Sequence, residues 1–216
     1  DGTDGSDFGL TDITFTPSGG DYGAGNDNIA GGAGDDLIYG EDGADTIAGG
    51  TGADTMDGGD GSDRFVIEDG FGSDTIFGGD GADTGSDTLD FTNLTGGITV
   101  DLTGNEEGTA TDGTDTLTFS EIEQISGSEF DDTIDARGTS SGLDYVAAGD
   151  GDDTVYGSSG SDDIHGGDGN DTIDGGEGGG NLEGGQGNDS ISGGAHVDQI
   201  YGGSGDDSIS AEGGDD

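Results

Sequence analysis

Along much of the chain a single large apolar residue recurs every nine positions, flanked by polar neighbours and preceded by glycines and an aspartate. Residues 31–39 read Gly31-Gly32-Ala33-Gly34-Asp35-Asp36-Leu37-Ile38-Tyr39, and residues 40–48 read Gly40-Glu41-Asp42-Gly43-Ala44-Asp45-Thr46-Ile47-Ala48. The frame holds at 49–57 and 58–66, is weaker at 22–30, and resumes at 69–77 and 78–86 after the insert Ile67-Glu68. It returns at 127–135, breaks for Ala136-Arg137-Gly138, and runs without a gap from 139 to 210. The sixth position is Asp in every unit except 175–183, which has Gly180, and the eighth is apolar in every unit except 78–86, which has Gly85. Two coincident rules of this kind do not arise in a composition-biased linker; they mark a repeat architecture.

The pattern predicts one turn and one very short strand per unit. Positions one to six carry the turn residues, and positions seven to nine alternate polar, apolar, polar, so only the eighth side chain faces inward. Ile38, Ile47, Met56, Phe65, Ile164, Ile173, Ile191, Ile200 and Ile209 are the expected core, with Thr46, Thr55, Thr154, Thr172, Ser190 and Ser208 outside. Two units then complete one coil of two facing parallel strands, and stacked coils share a thin continuous core. The fold class expected is all-β, a parallel β-roll (β-solenoid) of nine-residue repeats with two repeats per coil.

Charge changes the picture. The 216 residues carry a formal net charge of −49, with Arg64 and Arg137 the only Lys or Arg; 54 residues are glycine and only 25% are apolar. Such a chain has too little apolar surface to offset the entropy of ordering its backbone, and its own charge opposes compaction. Without a counter-charge, acidic low-complexity disorder is the expected state. Nucleic acid and anionic membrane surfaces are excluded as partners, because no basic patch exists to engage their phosphates. No segment approaches the ~20 apolar residues of a membrane-spanning helix. The first thirty residues lack the basic-then-apolar pattern of a cleavable secretion signal. Cysteine is absent, which removes disulfides, zinc thiolates and thiol catalysis and leaves bound metal as the remaining staple.

The turn chemistry favours one class of metal. Glycines at positions one, two and four permit positive φ and let carbonyl oxygens converge with no Cβ in the way. The sixth position adds a carboxylate. An all-oxygen shell in a flexible turn suits calcium, which accepts about six to eight oxygens; magnesium, wanting strict octahedral geometry, fits less well.

The units fit Gly-Gly-x-Gly-x-Asp-x-U-x, with U large and apolar, and the chain resembles the RTX (hemolysin-type) calcium-binding nonapeptide repeat family, whose repeats build a parallel β-helix. The resemblance implies calcium ions between stacked turns, each held by carbonyls and aspartates of two units one coil apart. It pairs Asp27 with Asp45, Asp36 with Asp54, Asp45 with Asp63, and Asp54 with Asp74. In the second array it pairs Asp132 with Asp153, Asp144 with Asp162, Asp153 with Asp171, Asp171 with Asp189, and Asp189 with Asp207. Asp83 and Asp198 complete the implied carboxylate ligands. The implied main-chain donors are Gly32, Gly34, Gly43, Gly50, Gly52, Gly59 and Gly61 in the first array. In the second they are Gly149, Gly151, Gly160, Gly167, Gly169, Gly185, Gly187, Gly203 and Gly205. Three departures put sites in doubt: Gly180 removes a carboxylate shared with Asp162 and Asp198, while His196 and Phe130 replace fourth-position glycines. About ten divalent ions would cancel roughly 20 charges, with modest affinity of about 10⁻⁴–10⁻³ M for such extracellular modules.

Four regions follow: an N-terminal edge strand or cap (1–21), a first array (22–86), an irregular β-solenoid connector (87–126) and a second array (127–216). In the connector Leu89-Asp90-Phe91, Ile98-Thr99-Val100-Asp101-Leu102 and Leu117-Thr118-Phe119 alternate at period two. They read as longer coils of the same solenoid, with a separate small β-domain as the alternative. The sequence given stops within a tenth unit of the second array, so it is expected to be a piece of something longer. No His-Glu-x-x-His is present, and evenly spaced carboxylates in solvated turns read as ligands, not as an acid/base couple. No catalytic residue is expected. Tyr39, Tyr156 and Tyr201 share the ninth position as scattered surface residues or an outward aromatic row, and Arg64 and Arg137 read as local counter-charges. The resemblance implies type I secretion, folding on calcium outside the cell or at its surface, and either a structural role with end-to-end self-association or service as an accessory region of a secreted enzyme.

Overall fold

In a computed structural model, which describes residues 25–79, 85–140 and 143–214, the described chain contains strands and turns and no helix. The expected cap at 1–21 lies outside the described residues, as does Asp83. The strands of the first array are β1 (Asn28–Ala33), β2 (Leu37–Asp42), β3 (Thr46–Thr51), β4 (Thr55–Asp60), β5 (Arg64–Val66) and β6 (Thr75–Phe77). The connector holds β7 (Thr88–Asp90), β8 (Thr99–Gly104), β9 (Glu107–Thr111), β10 (Thr116–Ser120) and β11 (Gln124–Ser126). The second array holds β12 (Thr133–Asp135), β13 (Tyr145–Asp150), β14 (Thr154–Tyr156), β15 (Asp163–Asp168), β16 (Thr172–Asp174), β17 (Asn181–Gln186), β18 (Ser190–Ser192), β19 (Gln199–Ser204) and β20 (Ser208–Ser210).

These strands form two sheets. One runs β1-β3-β5-β7-β11-β13-β15-β17-β19, and the other β2-β4-β6-β10-β9-β8-β12-β14-β16-β18-β20. Within each array successive units alternate between sheets, so strands two units apart pair in parallel, with Ile29 beside Ile47, Ile38 beside Met56, and Ile164 beside Leu182. The chain is a parallel β-solenoid. Several strands are six residues long instead of three. They run on through positions one to three of the next unit, where Gly32 pairs with Gly50 and Gly167 with Gly185. The glycine pair keeps donating to the ladder while its backbone starts to turn.

Eighth-position side chains stack into one core. Ile47, Phe65, Leu89, Ile125, Val146, Ile164 and Leu182 are buried along one sheet, and Met56, Ile76, Val100, Ile134, Val155, Ile173 and Ile191 along the other. Ile200 is only partly buried, and Ile209, on the edge strand β20, is 48% exposed.

The connector differs from the longer coils expected. β7 and β11 are ordinary parallel rungs, pairing Leu89 with Ile125. Between them β8, β9 and β10 form an antiparallel meander inserted in the other sheet. Its buried Val100, Leu102, Ala110, Leu117 and Phe119 belong to the common core. Period-two alternation is shared by coils and hairpins; the turns decide. Glu106 (φ 58°) and Gly113 (φ 89°) supply the left-handed residues that reverse the chain.

The frame also slips once. Strand β5 pairs with β7 in the register Phe65 to Leu89, so the inward position after Ile76 is filled by Leu89, not Gly85. Asp87 accordingly takes the place before the strand that the regular frame assigns to Asp83.

Candidate metal sites at the turns

In the arrays the chain turns between successive strands, over three residues after the six-residue strands and over six or more after the three-residue ones, along one of two edges. Each sixth-position Asp is carried just before its strand begins. In the regularly stacked units its Oδ1 accepts a hydrogen bond from the main-chain N–H of the corresponding residue one coil earlier. The bonds run Asp27 to Asp45 (2.7 Å), Asp36 to Asp54 (2.8 Å), Asp45 to Asp63 (2.8 Å) and Asp54 to Asp74 (2.9 Å). In the second array they run Asp132 to Asp153 (2.7 Å), Asp153 to Asp171 (2.9 Å), Asp171 to Asp189 (2.9 Å) and Asp189 to Asp207 (3.0 Å). One carboxylate oxygen is thus committed to stacking.

The other oxygen is the informative one. The Oδ2 atoms of Asp45, Asp54, Asp153, Asp171 and Asp189 are buried and have no hydrogen-bond partner among the described residues. A buried, unpaired carboxylate oxygen is costly unless it is protonated or met by a donor, a water or a cation. In the units of Asp45, Asp54, Asp171 and Asp189 the Oδ2 faces the unit's first glycine: a Cβ on Gly49 would lie 2.4 Å from Asp54 Oδ2, and one on Gly184 2.2 Å from Asp189 Oδ2; the Asp153 unit has Ala148 at that place.

The same close approach exposes carbonyls. The second and fourth glycines have positive φ, as at Gly50 (98°) and Gly52 (145°). A Cβ at either would fall 1.9 Å from the carbonyl oxygen of Gly32 or Gly34 in the coil below. Gly167 over Gly149 and Gly187 over Gly169 repeat the arrangement at 1.9 and 1.6 Å. Stacked turns therefore bring main-chain oxygens and carboxylates so close to the glycine Cα atoms that no side chain fits between them. Among the described residues no three His, Cys, Asp or Glu side chains gather to hold a metal. The donor set is carbonyl-rich and all-oxygen, which fits calcium and not zinc.

Burial raises the carboxyls in this row. Asp74 and Asp153 are pushed up to about 7 and Asp171 to about 6, with the main-chain N–H bonds only partly offsetting desolvation. Asp45 and Asp54 shift upward for the same reason.

Not every expected pair is brought together in this way. Asp144 is exposed and its N–H donates to the Glu123 carbonyl, while Asp162 accepts from Ser158. Gly180 offers no carboxylate, though its N–H still donates to Asp198 Oδ1 at 2.8 Å. Two carboxylates in the connector join the row instead: Asp63 N–H donates to Asp87 Oδ1 (2.8 Å) and Asp87 N–H to Glu123 Oε2 (2.7 Å). The insertion ahead of Asp87 hid it from the nine-residue frame; the sequence Asp87-Thr88-Leu89-Asp90 carries the unit's ending intact. Both arginines act as local counter-charges, Arg64 to buried Asp90 and Arg137 to Asp135 (2.6 Å), the latter lying 3.9 Å over the Tyr156 ring. Tyr39, Tyr156 and Tyr201 form no row: their strand neighbours are Asp57, Asp135 with Asp174, and Glu183.

Fold and turns together define a calcium-type β-roll. The family model of the RTX calcium-binding nonapeptide repeat matches residues 21–56, 39–66, 57–86, 139–173, 147–180, 174–209 and 196–216, more than half of the chain. The protein belongs to that family. None of the curated proteins compared with the chain matches it.

Proposed function

We propose that this chain is a calcium-dependent, non-catalytic structural module of a secreted protein, ordered outside the cell, where calcium is plentiful. The observation that carries this reading is the row of buried, unpartnered Oδ2 atoms facing stacked carbonyls. Bound calcium would supply positive charge to these oxygens and offset part of the formal −49. The residues that would hold it are the stacked aspartates with the carbonyls of the second- and fourth-position glycines, as in Gly32, Gly34 and Asp36 below Gly50, Gly52 and Asp54. Residues 22–86 and 127–216 are read as the two arrays, joined through 87–126.

The non-catalytic reading is supported by the character of the site: among the described residues its carboxylates repeat along the solenoid, those of Asp54, Asp74, Asp171 and Asp189 each stacked on a main-chain N–H of the neighbouring coil. Family membership supports secretion, since such repeats are generally found in secreted proteins. Within that class we favour a piece of an adhesin, surface-layer or filament component that associates end to end, because most of the chain is repeat. Service as the accessory region of a secreted protease, lipase or epimerase is the second reading, to which the same family membership gives support.

Small-angle scattering during a calcium titration tests the proposal. In chelator the radius of gyration should be about 50 Å, the value for an unfolded chain of this length. It should fall steeply with millimolar calcium and not with equal magnesium. A compact particle in chelator would remove the basis for calcium dependence. Electron microscopy of the loaded protein would show end-to-end rods if the structural reading holds, and isolated particles if it does not.

A further inference from the structure

Two turns solve the problem of the buried carboxylate without an ion. In 127–132 and 157–162 the second position is serine, Ser128 and Ser158, instead of glycine. Neither serine has positive φ. In that conformation the serine N–H points at the aspartate of its own turn: Ser128 N–H donates to Asp132 Oδ2 (2.6 Å) and Ser158 N–H to Asp162 Oδ2 (2.9 Å). Each hydroxyl adds a bond, Ser128 Oγ to Asp132 Oδ1 (2.8 Å) and Ser158 Oγ to Asp162 Oδ1 (3.0 Å). Each hydroxyl also accepts the fourth-position N–H, from Phe130 (3.1 Å) or Gly160 (2.8 Å). The same network recurs on opposite edges of the solenoid. Asp132 and Asp162 have no orphaned oxygen.

The backbone agrees. Along the edge that carries turns 148–153, 166–171, 184–189 and 202–207, the second and fourth glycines all have positive φ. Along the opposite edge of the second array, no fourth-position residue among the described ones does: Gly160, Gly178 and His196 all lack it. That edge also loses a carboxylate at Gly180. In the first array both edges keep the regular form, through Gly32 and Gly34 on one and Glu41 with Gly43, then Gly59 with Gly61, on the other.

We infer that Ser128 and Ser158 close their turns in place of calcium, and that in the second array calcium runs along one edge only, through the turns of Asp153, Asp171, Asp189 and Asp207. This rests on the calcium reading above and narrows it. The serine hydroxyl and N–H do for these carboxylates what an ion does elsewhere. The second array accordingly has turns that are satisfied whether or not calcium is present.

Equilibrium dialysis of the full chain at saturating calcium tests this by counting ions bound per chain. Asp171→Asn should lower the count by at least one, and Asp162→Asn should leave it unchanged. An equal loss from Asp162→Asn would overturn the inference while leaving calcium binding intact. No loss from either variant would overturn both. Because Asp162→Asn could disturb its turn, the wild-type protein supplies a second reading. Anomalous scattering from calcium-loaded crystals should place ions in turns 148–153, 166–171 and 184–189. A peak in 127–132 or 157–162 would overturn the assignment.

Discussion

The main-chain N–H of Asp63 donates to Asp87 Oδ1 at 2.8 Å, across 24 residues where the regular spacing is 18. The stacking bond survives the longer spacing. Asp87 is buried and sits where Gly78 offers its carboxylate the same close approach that Gly58 offers Asp63. Asp87→Ala leaves the Asp63 N–H without its acceptor, so it should destabilise the calcium-loaded fold by about 1–3 kcal/mol. Denaturant unfolding in millimolar calcium measures this, and an unchanged midpoint would show that the bond contributes nothing.

Gly32 and Gly50 share nearly the same conformation, φ 106° and 98°, and differ in what lies beyond them. Among the described residues a Cβ on Gly32 meets nothing within 4 Å, while one on Gly50 would stand 1.9 Å from the Gly32 carbonyl oxygen. Gly32→Ala should therefore carry only the left-handed backbone cost, about 1–2 kcal/mol. Gly50→Ala adds a clash with the carbonyl that lines the site. The expected result is a small rise in the calcium midpoint for the first variant and loss of calcium-induced β-structure for the second, read by circular dichroism. Equal effects would mean that close carbonyl approach is unimportant.

Glu41 occupies a second position with φ 78°, where its neighbours have glycine. Glu41→Gly relieves the left-handed strain and removes one negative charge, against a glycine entropy cost of about 0.5–1 kcal/mol. The calcium-loaded protein should gain up to ~1 kcal/mol, seen as a higher thermal midpoint. A lower midpoint would show that the glutamate side chain contributes more than its backbone conformation costs.

Asp74, Asp153 and Asp171 are raised to about 7, 7 and 6 by burial in the metal-free roll. Unfolded aspartates release their protons near pH ~3.9. Between these values the folded chain binds more protons than the unfolded one, so metal-free stability falls as pH rises from about 4 to about 7. In chelator, β-structure should be greater at pH 4.5 than at pH 7.5. Since these protons must leave before the carboxylates can serve as ligands, the calcium midpoint should be higher at pH 5.5 than at 7.5. A titration followed by circular dichroism at the two pH values checks both, and pH-independent curves would contradict the burial of these groups.

Much of this was legible in the sequence because the repeat couples two independent signals, an inward residue at position eight and a carboxylate at position six. Ile47, Met56 and Ile173 could be placed inside from their spacing alone. Asp87 and Glu123 were hidden because insertions break the frame there, and a rule based on period has no means of following an insertion. The meander was hidden for another reason: Val100, Leu102, Leu117 and Phe119 alternate alike in a coil and in a hairpin, and only the reversal at Asp112-Gly113 tells them apart. Ser128 and Ser158 look like minor departures from the motif. Their effect depends on φ, which the residue type biases but the pattern does not state.

Far-UV circular dichroism of the whole chain at neutral pH, first in chelator and then in millimolar calcium, tests whether folding waits for the ion. A weak, disordered spectrum that becomes β-rich on calcium addition and reverts on chelation is the predicted result. A β-rich spectrum of equal strength in both solutions would mean that the polyanion folds unaided, and the calcium-dependent reading would fall.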